Sequence, residues 1–445
     1  MAELLPLIKK SLAPYLTRRV WWLAFSGGLD SQVLLHLVWR LRELAHSSDT
    51  SFPEIRAIHV DHQLQAASTA WAEQCEQQCV AYNIPFTLNV VNVEGRRRGI
   101  EDLARDARYR AFEAALGAGD LLLLAHHLDD QAETLLLRLL RGAGVTGLAA
   151  MPVRRVLGAG ELYRPLLSTS RSELEAYAAA QKLSWVDDPS NLDTHYRRNF
   201  LRQQVLPRLT RHWPDYRQSF GRAAALQAET AQLLHGYISQ DLANLGAEDG
   251  SLNLQKLAAL PEIRQRAILR QFIINRSELA LSSAQLGTIV EQFLCAGDDR
   301  QPQFRLAAGV LLRAYNQQLF CELGAVEAPS LLPDELEWNL PGELLIPGIG
   351  RLFATPGGSF MPRGSVSIRF RRGGERCRLA GHAHRRPLKK LLQEWRLPPW
   401  QREVLPLIYC GGELAAVADL AVCEGFSAAV GEEGWKIQWV PETLT

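Results

Sequence analysis

The chain has 445 residues, of which 47% are hydrophobic and 22% charged, as in an ordinary globular protein with length for about three domains. It contains no run of eighteen apolar residues and no apolar N-terminal segment with a cleavage site, so neither a transmembrane helix nor an export signal is expected. The net charge is only +1, and the seven cysteines lack framework spacing, which fits a reducing cytoplasm.

The first two hundred residues alternate between strand and helix patterns. Strands are predicted at Val20–Phe25, Ile55–Val60, Pro85–Val91 and Leu121–Ala125. Helices are predicted at Ser31–Trp39, Trp71–Tyr82, Glu101–Leu116 and Asp130–Leu140. This alternation predicts an α/β fold with a doubly wound parallel sheet, whose ligands bind beyond the carboxyl ends of the strands.

The turn after the first strand is predicted to bind phosphate groups. It reads Ser26-Gly27-Gly28-Leu29-Asp30-Ser31. Two glycines permit a tight turn that directs backbone N–H groups toward one anion, and the following helix N-terminus adds partial positive charge. Asp30 is explained if it holds Mg²⁺ against phosphate oxygens. The simpler alternative is a plain turn with Asp30 capping the helix.

A second polar cluster, His126–Glu133, follows the fourth predicted strand. Asp130 and Glu133 are three residues apart and share a helix face, where they can hold Mg²⁺ or bind an ammonium group. His126 is a candidate acid or base near neutral pH. One alternative is that the acidic residues only interact favourably with the helix dipole. Another is that the cluster is a hydrolytic metal site.

Three polar motifs are expected to converge on one crevice, because each follows a predicted strand. They are the phosphate-binding turn, His59–His62 and His126–Asp130. On the helix after the third strand, Arg105 and Arg108 are at i, i+3 and can both reach a phosphate. The alternative is that Arg105 and Arg108 form surface salt bridges with the neighbouring acids Glu101 and Asp102.

Two basic segments are candidate phosphate-binding surfaces in a chain that is otherwise neutral. One contains Arg197, Arg198, Arg202, Arg208, Arg211, Arg217 and Arg222. The other runs from Arg369 to Lys390 and has nine Lys or Arg against the single acid Glu375. A solvated charged face is the competing explanation for each segment.

The remainder of the chain is predicted to form separate regions. Residues 223–293 have helical patterns, and residues 303–323 read as a hairpin. Prolines and glycines then mark a linker or irregular strands before a small α+β region. The predicted divisions are residues 1–215, a mainly helical domain at 216–325, a linker at 326–360 and a basic domain at 361–445.

The phosphate-binding turn resembles the signature of the PP-loop ATP pyrophosphatases, which cleave ATP to AMP and pyrophosphate. The chain as a whole resembles the tRNA(Ile)-lysidine synthase family. The motifs that carry this resemblance are Ser26–Ser31, His126–Glu133 with Arg141-Gly142, Arg164–Leu167 and Asp188–Arg202. It is strong over residues 18–220, and residues 369–417 resemble that family's C-terminal domain. One departure is His62-Gln63-Leu64, where members favour His-Gly-Leu, so the role of His62 stays open.

The resemblance implies a specific reaction. ATP adenylates C2 of the wobble cytidine of a tRNA(Ile) with a CAU anticodon, and the ε-amino group of L-lysine then displaces AMP. The product reads AUA instead of AUG. ATP is the co-substrate, Mg²⁺ the expected metal, and the expected location is cytoplasmic, away from membranes. The sequence leaves open whether the chain forms a homodimer.

The resemblance also implies residue roles. Ser26, Gly27, Gly28, Leu29, Asp30 and Ser31 would bind the ATP phosphates, with Asp30 near Mg²⁺. His126, Asp130 and Glu133 match positions tied to catalysis and lysine recognition, with Glu133 on the lysine ammonium. The base that deprotonates the lysine is expected to be His126 or a carboxylate. The expected phosphate or tRNA contacts are Arg108, Arg198, Asn199, Arg202, Arg385 and Arg386.

Two other functions remain as alternatives. One is a different PP-loop tRNA-modifying enzyme of the 2-thiocytidine type, which would use C-x-x-C pairs; the only close pair here, Cys75 and Cys79, has the wrong spacing and reads as a buried stripe. The other is a tRNA-binding protein without catalysis, against which Asp30, His126 and Glu133 argue.

Overall fold

The computed structural model describes residues 4–63, 68–91, 100–189, 193–247, 249–295, 302–323, 332–429 and 432–441. The chain divides into two units, Met1–Leu234 and His235–Thr445. Among the described residues, no helix combines the length and the apolar character needed to span a bilayer.

The first unit is built on a six-stranded sheet in the order β3-β2-β1-β4-β6-β5. Its strands are β1 (Val20–Ala24), β2 (Glu54–Asp61), β3 (Phe86–Val90), β4 (Leu121–Leu123), β5 (Arg154–Leu157) and β6 (Gly160–Tyr163). All neighbouring strands are parallel except β5, which pairs antiparallel with β6. The helices are α1 (Leu4–Leu12), α2 (Leu29–Ser47), α3 (Ser68–Ala81), α4 (Ile100–Ala115), α5 (Leu128–Leu140), α6 (Val145–Leu148), α7 (Arg171–Ala180), α8 (Arg197–Phe200), α9 (Leu206–His212) and α10 (Tyr216–Leu245).

The central strands are apolar along their whole length because both faces of the sheet are covered. Trp21 and Leu23 of β1 belong to a core that includes residues of α1, α2, α3 and α7. The alternate residues Val20 and Trp22 pack instead with Phe112 of α4. Helices on both faces confirm the predicted doubly wound parallel sheet.

The predicted strands and helices of this unit are confirmed, and the structure adds the helices α1, α6, α8 and α9, which were not predicted. The first predicted helix, α2, continues to Ser47, well beyond the predicted end at Trp39. The β5–β6 hairpin is absent from the sequence prediction, because Arg154–Leu157 is exposed at three of its four positions and shows no apolar alternation. Cys75 and Cys79 are both fully buried, as predicted.

The second unit begins with helices and a small antiparallel sheet. Its elements are β7 (Leu252–Asn253), α11 (Leu254–Ala258), α12 (Glu262–Ser277), α13 (Ser283–Leu294), β8 (Gln303–Arg305), β9 (Leu311–Tyr315) and β10 (Gln318–Glu322). The sheet order is β7-β10-β9-β8, and its apolar face packs on α12 and α13 in one core. The predicted hairpin at residues 303–323 is therefore confirmed as β9–β10, with β8 beside it.

The last part of the second unit consists of short strands and two helices. They are β11 (Leu336–Glu337), β12 (Gly342–Ile346), β13 (Gly350–Gly358), β14 (Val366–Arg369), β15 (Arg376–Cys377), β16 (Arg386–Pro387), α14 (Leu388–Glu394), α15 (Pro399–Glu403), β17 (Leu407–Cys410), β18 (Glu413–Val417), β19 (Ala421–Val422) and β20 (Gly434–Pro441). Two sheets, β11-β14-β17-β18-β19 and β12-β13-β20, share one hydrophobic core.

The predicted linker at residues 326–360 is not a linker over its described part. Strand β13 pairs with β12 on one side and with the C-terminal strand β20 on the other. Ile346, Leu352 and Phe360 are buried in the same core as Ile368 and Ile408. Of the prolines and glycines that suggested a linker, Pro347 and Gly348 lie in the turn between β12 and β13, and Gly350 and Pro356 lie in β13 itself, so this described segment belongs to the C-terminal domain.

Candidate active site

The phosphate-binding turn is held in shape by contacts on both sides. Gly27 has φ +80°, and a Cβ at this position would lie 2.7 Å from the Sγ of Cys75. The Gly27 carbonyl accepts a hydrogen bond of 2.9 Å from the backbone N–H of Val186. The hydroxyls of Ser26 and Ser31 lie 3.1 Å apart. Gly28 caps α2 in an extended conformation, so the turn leads directly into the helix N-terminus.

A first cavity of about 210 Å³ opens beside this turn. Its polar lining comes from the motifs that follow β1 and β4, from His59 near the end of β2, and from α4. These residues are Ser26, Asp30, Ser31, His59, Arg105, Arg108, Tyr109, His126 and Asp130. Its apolar lining includes Phe25, Ile58, Val60, Phe112 and Leu124. The structure therefore brings together the motifs that the sequence expects to converge.

His127, which the sequence reasoning did not single out, lies among three carboxylates. Its Nε2 is 3.6 Å from Asp30 and 3.5 Å from Asp130, and its Nδ1 is 3.8 Å from Asp129. Burial alone would lower the pKa of His127, but the negative charges of Asp30, Asp130 and Asp129 raise it above its ordinary value. The side chain is 1% exposed. His127 therefore links the phosphate-binding turn to the first turn of α5; the second histidine of the His-His-x-Asp-Asp pattern was the available signal.

Asp30 also contacts Arg171, the first residue of α7. The Asp30 carboxylate lies 3.2 Å from the Arg171 guanidinium. The backbone N–H of Arg171 donates a hydrogen bond of 2.8 Å to the Asp129 carboxylate. Among the described residues there is no group of three or more potential metal ligands. Mg²⁺ bound with a nucleotide needs only one or two carboxylates, because phosphates and water complete its shell. Asp30 fits that role, since it lines the first cavity and is partly exposed.

Asp130, Glu133, Arg198 and Arg202 form a carboxylate–arginine cluster. Both Glu133 oxygens are occupied, one by Arg202 Nε and the other by Arg198 Nε, each at 2.7 Å. Asp130 accepts from Arg198 at 3.1 Å. Burial would raise the pKa of Asp130, but His127, Arg198 and His126 lower it to about 2. The two carboxylates and the two guanidinium groups of the cluster balance each other in charge.

This cluster bears on three predicted roles. Glu133 is 1% exposed and already bound to two guanidinium groups, so an ammonium group would have to displace one of them. Arg198 and Arg202, predicted to lie near the tRNA, point into the cluster. Asn199 donates to the carbonyl of Asp193 at 2.9 Å. Ser190–Leu192 of the same predicted motif lie outside the described residues.

His126 is held in one tautomer. Arg164 donates from Nε to His126 Nδ1 at 3.1 Å, so the proton of the neutral ring is on Nε2. Burial and the positive charges of Arg164, Arg198 and Arg105 outweigh Asp130 and lower the pKa of His126 to about 3. The ring is therefore a neutral hydrogen-bond donor at physiological pH.

His62 contacts Arg108 at the edge of the first cavity. The guanidinium donates to His62 Nε2 at 3.3 Å from Nε and 3.2 Å from its terminal nitrogen. Burial and the charge of Arg108 lower the pKa of His62 to about 4. A neutral His62 thus orients Arg108. Leu64, in the motif that differs from the family's His-Gly-Leu, lies outside the described residues.

A second cavity of about 610 Å³ lies against the other face of α5. Its charged lining carries both signs: Asp129, Glu133 and Glu175 are acidic, and Arg171, Arg202, Arg211 and Arg217 are basic. Glu133 lines this cavity whereas Asp130 lines the first. The first two turns of α5 therefore line two different cavities.

The basic segment at residues 369–390 of the second unit is partly neutralised. Four of its arginines are ion-paired: Arg369 with Glu335, Arg371 with Glu375, Arg372 with Asp334 and Arg386 with Glu394. Arg385 is exposed, and no described carboxylate forms an ion pair with it. Of the two tRNA contacts predicted in this segment, Arg385 and Arg386, Arg385 is thus the more available for binding a phosphate.

Comparison with known proteins identifies related sequences along most of the chain. Family models match a PP-loop domain at residues 3–209, a TilS substrate binding domain at 252–320 and a TilS substrate C-terminal domain at 366–439. A solved U34-tRNA thiolase, NcsA from Methanococcus maripaludis, superposes with a TM-score of 0.42 at 16% identity, over 51% of this chain and 77% of that chain.

Three curated relatives, each a tRNA(Ile)-lysidine synthase, are similar over nearly their whole length. The protein of Serratia proteamaculans is 41% identical over 421 residues, which are 94% of each chain. That of Pseudomonas aeruginosa is 43% identical over 98% of this chain and 96% of its own, and that of Pseudomonas syringae pv. tomato is 44% identical over 98% and 95%. Together with the site geometry, this similarity shows that the chain belongs to the tRNA(Ile)-lysidine synthase family.

Proposed function

We propose that the chain ligates L-lysine to C2 of the wobble cytidine of the tRNA(Ile) with a CAU anticodon. ATP activates the cytidine as an adenylated intermediate, AMP and pyrophosphate are released, and the codon read changes from AUG to AUA. The observation that carries the proposal is that the first two turns of α5 present Asp130 to one cavity and Glu133 to another.

The first cavity suits the nucleotide and the cytidine. The turn Ser26–Ser31 offers backbone N–H groups, two hydroxyls and the N-terminus of α2 to the pyrophosphate portion. Mg²⁺ bound at Asp30 would neutralise charge on the phosphate oxygens. A carbonyl oxygen is a poor leaving group and AMP a good one, so adenylation divides a difficult substitution into two easier steps.

The second cavity suits a free amino acid. Lysine carries two ammonium groups and one carboxylate, and the cavity offers carboxylates and guanidinium groups on the same wall. Glu133 is the carboxylate shared with the carboxylate–arginine cluster, so an ammonium group placed there would lie next to the other cavity. This placement supports Glu133 as the lysine contact, with Arg198 or Arg202 shifting to admit the substrate.

The lysine amine must lose a proton before it attacks. His126 with a pKa of about 3 and Asp130 with a pKa of about 2 are weak bases at neutral pH. The neighbouring guanidinium groups of Arg198 and Arg202 instead favour the neutral form of a bound amine, because a like charge lowers its pKa. We assign to His126 the donation of a hydrogen bond from Nε2 toward negative charge that develops in the first cavity.

The 2-thiocytidine alternative has less support. Burial raises the pKa of Cys75, the cysteine beside the phosphate-binding turn, to about 12. The same holds for Cys79. Sulfur transfer needs a thiolate, and neither residue would provide one at neutral pH.

The test is an incubation of the full chain with ATP, labelled L-lysine and a tRNA(Ile) transcript bearing the CAU anticodon. We expect label in the tRNA, with AMP and pyrophosphate formed in equal amounts. A transcript whose wobble cytidine is replaced by uridine is the matched control and should remain unlabelled. ADP and orthophosphate as products, or tRNA binding without label transfer, would contradict the proposal.

A further inference from the structure

Tyr109 of α4 holds two exposed arginines from different elements. The Arg105 guanidinium lies 5.1 Å from the centre of its ring, and that of Arg155 on β5 lies 4.8 Å away. The Tyr109 hydroxyl accepts a hydrogen bond of 3.3 Å from the buried Arg164. Stacking and this hydrogen bond fix the position of two side chains that would otherwise move freely in solvent.

Two more arginines extend this surface. Arg138 near the end of α5 donates to the carbonyls of Gly147 at 2.8 Å and Ala150 at 2.7 Å, which holds the guanidinium in place. Arg141, the exposed C-cap residue of the same helix, follows three positions later. Burial and the charges of Arg105 and Arg141 lower the pKa of Arg138. We call Arg105, Tyr109, Arg138, Arg141 and Arg155 the arginine strip.

Within the part of the chain that the structure describes, the four arginines of the arginine strip form no ion pair with a carboxylate. Like charges held this close destabilise the free protein, so their arrangement points to an anionic partner. Four other arginines of the first unit, Arg171, Arg198, Arg202 and Arg217, each have a carboxylate partner.

The strip extends away from the nucleotide site. Arg105 and Tyr109 line the first cavity, whereas Arg138, Arg141 and Arg155 do not. An ATP molecule bound at Ser26–Ser31 could therefore contact Arg105 and Tyr109 but would not explain the positions of the other three residues. Guanidinium groups interleaved with an aromatic ring are typical of surfaces that follow a single-stranded RNA backbone.

We propose that the arginine strip binds the phosphates of the anticodon loop that flank the target cytidine, and so guides that base into the first cavity. This inference rests on the proposed function, which supplies the RNA. Arg141 and Arg155 are the outer phosphate contacts, and Tyr109 keeps Arg105 and Arg155 in register.

The test uses the full chain and a synthetic anticodon stem-loop with the CAU sequence, so that contacts to other parts of the tRNA do not contribute. Arg155→Ala and Arg141→Ala should each weaken binding and lower the slope of log affinity against log salt by about 0.7, the value for one lost single-strand phosphate contact. Arg155→Lys should retain the slope. Arg154→Ala, an exposed neighbour on the same strand, is the matched control and should change neither quantity.

Two further measurements separate the possible failures. The KM for ATP should be unchanged in both variants, and an increase with unaltered RNA binding would assign the strip to the nucleotide and overturn the inference. Unaltered affinity and salt slope in both variants would also overturn it. If the wild-type chain binds the stem-loop but transfers no lysine to the complete tRNA, the proposed function fails while the strip remains supported.

Discussion

Two adjacent histidines between β4 and α5 have opposite pKa shifts because they face different neighbours. His126 faces Arg164, Arg198 and Arg105, which together with burial lower its pKa to about 3. Burial also acts on His127, but Asp30, Asp130 and Asp129 raise its pKa. One residue along the chain thus separates a neutral donor in the cavity from a ring whose pKa is raised by three nearby carboxylates.

The shift at His126 makes stability depend on pH. The unfolded chain binds a proton at this residue near pH 6.5, whereas the folded protein does so only near pH 3, so stability is lost as the pH falls below 6.5. Between pH 8 and pH 5 the loss should be about 2 kcal/mol. We expect His126→Asn, which keeps an acceptor for Arg164, to flatten the dependence of the unfolding free energy on pH. An identical slope in variant and wild type would contradict the assignment.

Glu133 should contribute strongly to stability. Glu133→Ala leaves Arg198 and Arg202 with only the longer hydrogen bonds to Asp130, of 3.1 and 3.4 Å. We therefore expect a loss near the lower end of the about 3–5 kcal/mol that is typical of a broken buried pair. Glu175→Ala is the matched control, since its ion pair with Arg171 is about half exposed and is worth less than about 1 kcal/mol. Urea unfolding of the two variants provides the comparison; equal losses would show that the cluster is not a buried network.

At the scale of elements, the phosphate-binding turn depends on its neighbours. Its shape requires a positive φ at Gly27 and room against α3, where Cys75 lies 2.7 Å from the position of a Cβ. The carbonyl of the same residue is fixed by Val186. The turn is therefore a product of local glycine content and of two elements distant in sequence.

Gly27→Ala should abolish ATP binding and destabilise the fold, because it adds both a steric clash and about 1–2 kcal/mol of backbone strain. The double variant Gly27→Ala with Cys75→Ala removes the clash and leaves the strain, so it should recover part of the lost stability. Gly28→Ala is the control for folding, since its Cβ would meet only ordinary contacts of 3.7 Å or more. Thermal unfolding and nucleotide titration measure the effects; full recovery in the double variant would exclude a strain contribution.

At the scale of the whole molecule, activation is expected to depend on the first unit, whereas tRNA binding is expected to draw on arginines of both units. Asp30→Ala in the first unit should abolish pyrophosphate release while tRNA affinity stays nearly unchanged. Arg385→Gln in the second unit should weaken tRNA binding and its salt dependence, whereas Arg386→Gln should do less because that residue pairs with Glu394. Loss of the same property in the Asp30 and Arg385 variants would contradict this division.

Much of the architecture follows from the sequence alone. Alternating strand and helix patterns in residues 1–200 predict the parallel sheet, and parallel strands place the residues after them at one edge. For that reason Ser26–Ser31, His59 and His126–Asp130 could be assigned to one cavity. The family prediction is confirmed by relatives that cover nearly the whole chain. The individual roles of the site residues stay predictions.

Only the tertiary structure decided which charges are paired. Arg198 and Glu133 are 65 positions apart, and Arg171 and Asp30 are 141 apart, so no local pattern signals either contact. The same reason explains the segment at 326–360, where β13 pairs with a strand at the far end of the chain. Local periodicity and turn chemistry determine elements and motifs, whereas partner choice depends on which elements become neighbours after folding.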